Sequence, residues 1–223
     1  SSYLSSEYYE NTSTTFYKNI KKLKSGSFAK ISNNIYKEQK YFNFKKLLNT
    51  VSLPKKQSER EENLKYLIYE AIKKSLVSDV NIGLSSSGGL DSSILQYVVS
   101  KVYHKKVTAS NFYFDDKNYS ERQFAKSISD FTSSKIKGVK ITDKTFRNSF
   151  KNSVKINEEP HSGLPIIAYE QSISKNKNSK VLLDGTGIDE AHLGYNKYLN
   201  LSLNKISLSQ DNTQSIFTNI INN

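Results

Sequence analysis

Between Leu84 and Leu95 the chain reads LSSSGGLDSSIL, a run made mostly of serine and glycine with one carboxylate, Asp91, inside it. Glycines at such a place let backbone come close to a ligand. If a helix begins there, its first-turn N–H groups and dipole favour an anion, and phosphate is the natural guest. The common phosphate loop offers a lysine after its last glycine, whereas this run offers Asp91, which by itself would repel phosphate. A carboxylate there requires a cation in between. The stretch therefore reads as a site for Mg²⁺-pyrophosphate, with the hydroxyls of Ser87, Ser92 and Ser93 as further donors. A plainer reading is an ordinary helix N-terminus in which Asp91 and the serines act as caps.

For either reading the run must join a strand to a helix, and the flanking periodicities predict this. Asn81 to Ser86 reads as a strand, followed by a helix with Ile94, Leu95, Val98, Val99 and Val102 turned inward. A strand at Val107 to Phe114 precedes a helix from Ser120 with Phe124, Ile128 and Phe131 on one face. A third strand, Lys135 to Ile141, leads to a helix bearing Phe146, Phe150 and Val154. A helix near Ile166 to Ile173 leads to a strand at Val181 to Leu183. Strands and helices in alternation predict an α/β fold, a parallel sheet with helices on both faces. Upstream, Ser58 and Glu61 form a capping-box pattern ahead of Leu64, Leu67, Ile68, Ala71, Ile72 and Leu76 at helical spacing. Before that, residues 1–46 read as a β-rich piece with a turn at KSGS, and 47–57 as a connector. The expected organisation is thus 1–46, 47–57, a main domain at 58–200, and a weakly patterned tail at 201–223.

Composition narrows the chemistry. The 223 residues contain no cysteine, which excludes disulfides, thiolate metal sites and a cysteine nucleophile within the chain. The net charge of +12 reads as lysines solvating a surface rather than as nucleic-acid contact, since the dense run KNIKKLK lacks arginine. No apolar run approaches a membrane span and no secretory pattern opens the chain, so a cytoplasmic protein is expected. His161 and His192 lie beside motifs but receive no role, a lone histidine being more often a surface or packing residue.

The segment SDVNIGLSSSGGLDSSIL resembles the Ser-Gly-Gly-x-Asp-Ser signature of the ATP pyrophosphatases, which have the adenine nucleotide α-hydrolase-like (PP-loop) fold. Its SDV and LDSS ends resemble the asparagine synthetase family in particular. A second segment, VLLDGTGIDEAHLGYNKY from Val181 to Tyr198, resembles that family's strand-S/D-G-x-G-x-D-E-x-x-x-G-Y block. Weaker likenesses are EEPHSGLPIIAYE, from Glu158 to Glu170, to its D/E-E-P segment, and YSERQFAKSIS to its E-x-x-x-A-x-x-x-A helix. TTFYKNIKKLKSGSF is similar to the last strands of the glutaminase domain in the full enzymes. The resemblance covers roughly residues 14–198 and suggests a piece truncated at both ends.

The resemblance implies ATP and Mg²⁺ as cofactors. Asp91 and Asp189 would be the metal-holding catalytic carboxylates, with Ser85, Ser87, Gly88, Gly89, Ser92 and Ser93 around the phosphates. Asp184 and Gly185 fall where the family holds adenosine, and Glu190 resembles its supporting carboxylate. The implied reaction is adenylation of a small-molecule carboxylate with release of pyrophosphate, then attack by ammonia. A separate glutaminase domain or subunit would supply that ammonia, since this chain has no cysteine to hydrolyse glutamine. Thr186 stands where asparagine synthetases often carry Glu, and threonine cannot serve as a general base at neutral pH, so the acid amidated is left open. Two other readings fit parts of the sequence: a non-catalytic nucleotide-binding remnant, suggested by Thr186 and the 34 residues after Asp189, and a tRNA-modifying PP-loop enzyme, suggested by the charge.

Overall fold

The computed structural model describes residues 13–159, 179–195 and 198. The chain divides into two compact units, Ser1–Glu70 with Lys144–Ile167, and Ala71–Asp143 with Ala168–Asn223.

In the first unit, β1 (Ser27–Ser32) pairs antiparallel with β2 (Ile35–Lys40), from Ser27 opposite Lys40 to Ser32 opposite Ile35. Asn33 and Asn34 make the two-residue turn, both at positive φ (49° and 63°), a conformation asparagine tolerates better than most residues. A short helix α1 (Phe44–Leu48) follows, so the predicted connector begins as helix. Helix α2 (Gln57–Ser75) starts before Ser58, and Glu61 receives the side-chain amide of Gln57 at 2.9 Å. The expected capping box therefore does not form, because Ser58 is already inside the helix. None of the α2 residues is fully buried; Leu64 and Leu67 are exposed, while Ile72 and the following Leu76, which already belong to the second unit, pack on that unit's core.

That second unit carries a four-stranded sheet of β3 (Ile82–Ser85), β4 (Thr108–Tyr113), β5 (Lys135–Lys140) and β6 (Val181–Leu183), all parallel, in the order β5-β4-β3-β6. Helices flank the sheet, as the alternation of elements predicts. Helix α3 (Leu90–Tyr97), extended by a π-helical turn at Val98–Val102, connects β3 to β4, and α4 (Arg122–Thr132) connects β4 to β5. Helix α5 (Asp143–Asn157) follows β5 in sequence but belongs from Lys144 on to the first unit, and α6 (Ile188–His192) follows β6. The expected helix near Ile166 to Ile173, and the segment Glu158 to Glu170 beyond its first two residues, lie outside the described residues. The core centres on Leu84, Leu95, Val99 and Ala109, with Val107, Ile136 and Leu183 against it.

Two consequences matter for the loop after β3. The strand sequence runs outward from β3 through β4 to β5, then returns to the other side of β3 as β6, so a topological switch point lies between β3 and β6. In open parallel sheets ligands bind beyond the strand ends at such a point. Second, α4 buries Ala125, Ser129 and Thr132, leaving Phe124 and Phe131 exposed, contrary to the face its apolar residues predict. Polar contacts and close approach set this rotation. Gln96, fully buried in α3, donates to Ser129 Oγ and Thr132 Oγ1, both at 3.0 Å. Gly88, at φ +89°, has the α4 backbone so near that a β-carbon would collide with Ala125 N and stand 2.5 Å from Phe124 C.

Gly88→Ala is expected to destabilise the fold by about 2 kcal/mol or more, combining left-handed strain with a backbone collision. Gly89→Ala, whose β-carbon would meet only the Ser87 hydroxyl at 3.2 Å, should cost about 1 kcal/mol or less. Urea unfolding of both variants checks this; equal losses would mean that close packing of α4 on the loop is unimportant.

Candidate functional site

The loop after β3 is built from its own hydroxyls. Ser85 is the last residue of β3, and Gly89 is the N-cap of α3 in extended conformation, without a side-chain cap. Ser92 Oγ receives the Gly88 N–H at 3.1 Å, donates to the Gly89 carbonyl at 3.1 Å and lies 3.1 Å from Ser87 Oγ. Ser87 Oγ receives the Gly89 N–H at 3.1 Å, and Ser93 N–H closes the first helical bond to the Gly89 carbonyl at 3.0 Å. Ser87 and Ser92 thus hold the loop's shape. The first-turn N–H groups of Leu90, Asp91 and Ser92 have no intrahelical acceptor and form the electropositive end of α3.

Asp91 is no cap. It lies inside the first turn, half-buried, and among the described residues its carboxylate makes no hydrogen bond or salt bridge. Burial raises its pKa first, and the nearby Asp189 raises it further, with Glu190 adding to this and His192 opposing it. The two aspartates that sequence spacing singles out, almost a hundred residues apart, are therefore close enough to feel each other's charge.

Their meeting follows from parallel pairing. β6 aligns with β3 in the register Ile82 with Val181, Gly83 with Leu182 and Leu84 with Leu183, so both strands release their chain at the same level. Asp184 then turns the chain, its carboxylate accepting the Thr186 N–H at 2.8 Å. Gly185 comes so near α3 that a β-carbon would stand 3.0 Å from Asp91 Cβ and 3.2 Å from Ser92 N. Gly187, at φ +103°, is the N-cap of α6, which carries Asp189 and Glu190 in its first turn. Gly194 closes the segment, its N–H bonded to the Asp189 carbonyl at 2.9 Å. A β-carbon there would collide with Asp189 Oδ1 and stand 2.8 Å from its Cγ. Glu190 accepts the Tyr195 hydroxyl at 2.8 Å, and that bond pushes the phenol up to about 12.

All of the loop and second-segment residues singled out from sequence are thus on adjoining elements: Ser85, Ser87, Gly88, Gly89, Asp91, Ser92 and Ser93 from β3 and α3, and Asp184, Gly185, Asp189 and Glu190 from beyond β6. Asp184 has a local turn to hold, and Thr186 is exposed beside it. His192, given no role by sequence, sits one helical turn after Asp189 and pulls the Asp91 pKa down. That spacing was visible, but its relation to Asp91 was not. Two carboxylates close enough to feel each other's charge, one with no protein donor, are hard oxygen donors that fit Mg²⁺ sharing its remaining positions with phosphate and water. No group of three or more His, Cys, Asp or Glu side chains suited to a metal exists among the described residues, so such an ion would depend on its ligand. None of the described helices is long and apolar enough to cross a membrane.

Comparison with known proteins places the chain in a family. A protein of Methanocaldococcus jannaschii, named as a candidate glutamine-hydrolyzing asparagine synthetase, is 32% identical over 143 residues. The match takes in 62% of this chain and spans 27% of that relative's length. Residues 63–219, a stretch that contains the β3 loop, both aspartates and the whole parallel sheet, match the family described as asparagine synthase. The chain belongs to the asparagine synthase family.

Proposed function

We propose that the second unit binds ATP with Mg²⁺ and activates a small-molecule carboxylate for amidation by ammonia, within a synthetase domain of residues 58–200. The observation that carries the reading is the juxtaposition of an anion-facing helix end with two mutually repelling carboxylates at the sheet's switch point. Either feature alone is common. Together they suit a polyphosphate that brings its own cation, because the N–H groups take the phosphate oxygens while Asp91 and Asp189 require the positive charge. Mg²⁺, when bound by Asp91 and Asp189, would neutralise the phosphates and stabilise the charge on departing pyrophosphate.

The chain's own part is electrostatic and positional. First-turn N–H groups of α3 and the Ser93 hydroxyl donate to the pyrophosphate as the Pα–O bond breaks and the substrate carboxylate oxygen bonds to Pα. Gly185, lying against Asp91, brings the segment after β6 beside the nucleotide. Ammonia then attacks the acyl carbon, AMP leaves with the acyl oxygen, and the nitrogen sheds its extra proton. Thr186 offers no general base for that proton at neutral pH, so it passes to solvent or to a group supplied elsewhere. The relative's name includes glutamine hydrolysis. This chain has no cysteine, so its ammonia would come from solution or from a separate glutaminase domain or subunit.

Three outcomes are expected. In calorimetric titration, ATP binding should require Mg²⁺, and Asp91→Asn should weaken Mg·ATP by roughly tenfold, about 1.4 kcal/mol, through loss of one anionic ligand. Equal or tighter binding by the variant rejects the reading, since asparagine serves as well as aspartate in a merely structural helix start.

In carboxyl NMR of the ligand-free protein, Asp91 should titrate above its ordinary value of 3.8. Asp189→Asn should lower its midpoint without restoring the ordinary value, because burial is the larger cause. The folded state holds this proton more tightly than the unfolded chain. The Asp91 contribution is therefore least unfavourable below pH 3.8 and worsens as pH rises through the folded value, so Asp91→Asn should modestly raise Tm at pH 7. An unshifted Asp91 midpoint would separate the two carboxylates.

Finally, the 223-residue chain should release no glutamate from glutamine above a protein-free control, whereas pyrophosphate–ATP exchange with an acceptable carboxylate should not depend on glutamine.

A further inference from the structure

The strand beside the loop contains a side chain that the reading above does not use. Asn111, in β4, is 2% exposed, yet only half of its amide is satisfied. Its Nδ2 donates to the Ser86 carbonyl at 2.8 Å, while its Oδ1 has no partner among the described residues. An apolar residue at this core position would avoid that unmet acceptor. A buried amide with an orphaned oxygen costs stability, so what its donor accomplishes is of interest.

Ser86 is the hinge between β3 and the loop. The β3–β4 ladder ends with Ser85 opposite Ser110. One residue further, the Ser86 N–H still reaches the Ser110 carbonyl at 2.9 Å, but its own carbonyl is taken by the Asn111 side chain rather than by strand backbone. Both peptide groups of Ser86 are thereby tied to β4 at the point where the chain must leave the sheet. Ser87 and Gly88 follow at once, and Gly88 must enter a positive φ against the α4 backbone. A free Ser86 carbonyl would leave the peptide that aims this turn able to rotate.

We propose that Asn111 is a positioning residue for the phosphate-facing loop: its buried amide clamps the Ser86 carbonyl and so fixes the direction in which Ser87, Gly88 and Gly89 leave the sheet. The clamp itself is a contact within the fold. Its consequence for nucleotide binding rests on the function proposed above.

The test uses the chain with Asn111→Leu, which keeps the branched outline with somewhat more bulk and removes the amide, and Asn111→Asp, which keeps shape but replaces the donor with an acceptor. Hydrogen exchange of the ligand-free proteins is read at Gly88 and Gly89 and, as reference, at Leu95 and Val139. In either variant, exchange at the two glycines should rise tenfold or more while the reference amides change less than threefold. The Leu variant should keep its Tm within a few degrees, since it loses an unmet acceptor as well as a donor. Mg·ATP affinity, measured by calorimetry, should fall at least tenfold in both variants.

If exchange rises equally at all four amides, Asn111 is only a packing residue and the proposal fails. It fails also if the glycines remain protected. Should the Leu variant not fold, the Asp variant alone decides by the same comparison. Absence of Mg·ATP binding by the unsubstituted chain would reject the proposed function, while the exchange comparison would still judge the clamp.

Discussion

The parallel pairing of β3 with β6 is the constraint on which the site depends. Three residues of β6 align with Ile82, Gly83 and Leu84, and that alignment brings chain separated by about a hundred residues to one sheet edge. Everything chemical lies within a few residues of where those two strands end. β4 and β5 occupy the other side of β3, so the strand order reverses between β3 and β6, the place where open parallel sheets take their ligands.

Given this pairing, the glycines have distinct tasks. Gly88 accepts the backbone of α4, Gly185 accepts Asp91 and Ser92, and Gly194 accepts Asp189. Each marks a place where a side chain would push one part of the site away from another. Serines perform the complementary task within the loop, where Ser87 and Ser92 satisfy the N–H groups of Gly89 and Gly88. These internal bonds tie the loop's own backbone groups to its own hydroxyls.

The electrostatics at Asp91 oppose the fold. Burial and then the nearby Asp189 raise the cost of ionising Asp91, which has no protein donor among the described residues. A protein optimised only for stability would place an amide there. The same reasoning applies in weaker form to Asn111, whose unmet acceptor sits in the core beside the loop. Local cost at both residues fits the general rule that functional sites depart from the packing and pairing preferences followed elsewhere.

Much of this was legible in the sequence. Sequence patterning located all four strands of the parallel sheet to within a residue or two. The Ser-Gly-Gly-x-Asp-Ser run identified the loop, since few other tasks require small residues and a carboxylate at a strand–helix junction. Three things were decided only by tertiary structure. The buried face of α4 was set by Gln96 and Gly88, which demand small neighbours, so the exposed Phe124 and Phe131 misled the periodicity. The start of α2 at Gln57 displaced the expected capping box. The grip of Asn111 on Ser86 and the influence of His192 on Asp91 arise from contacts between elements. A single chain's pattern records which way each residue faces along its own element, but not which atoms of another element will stand opposite it.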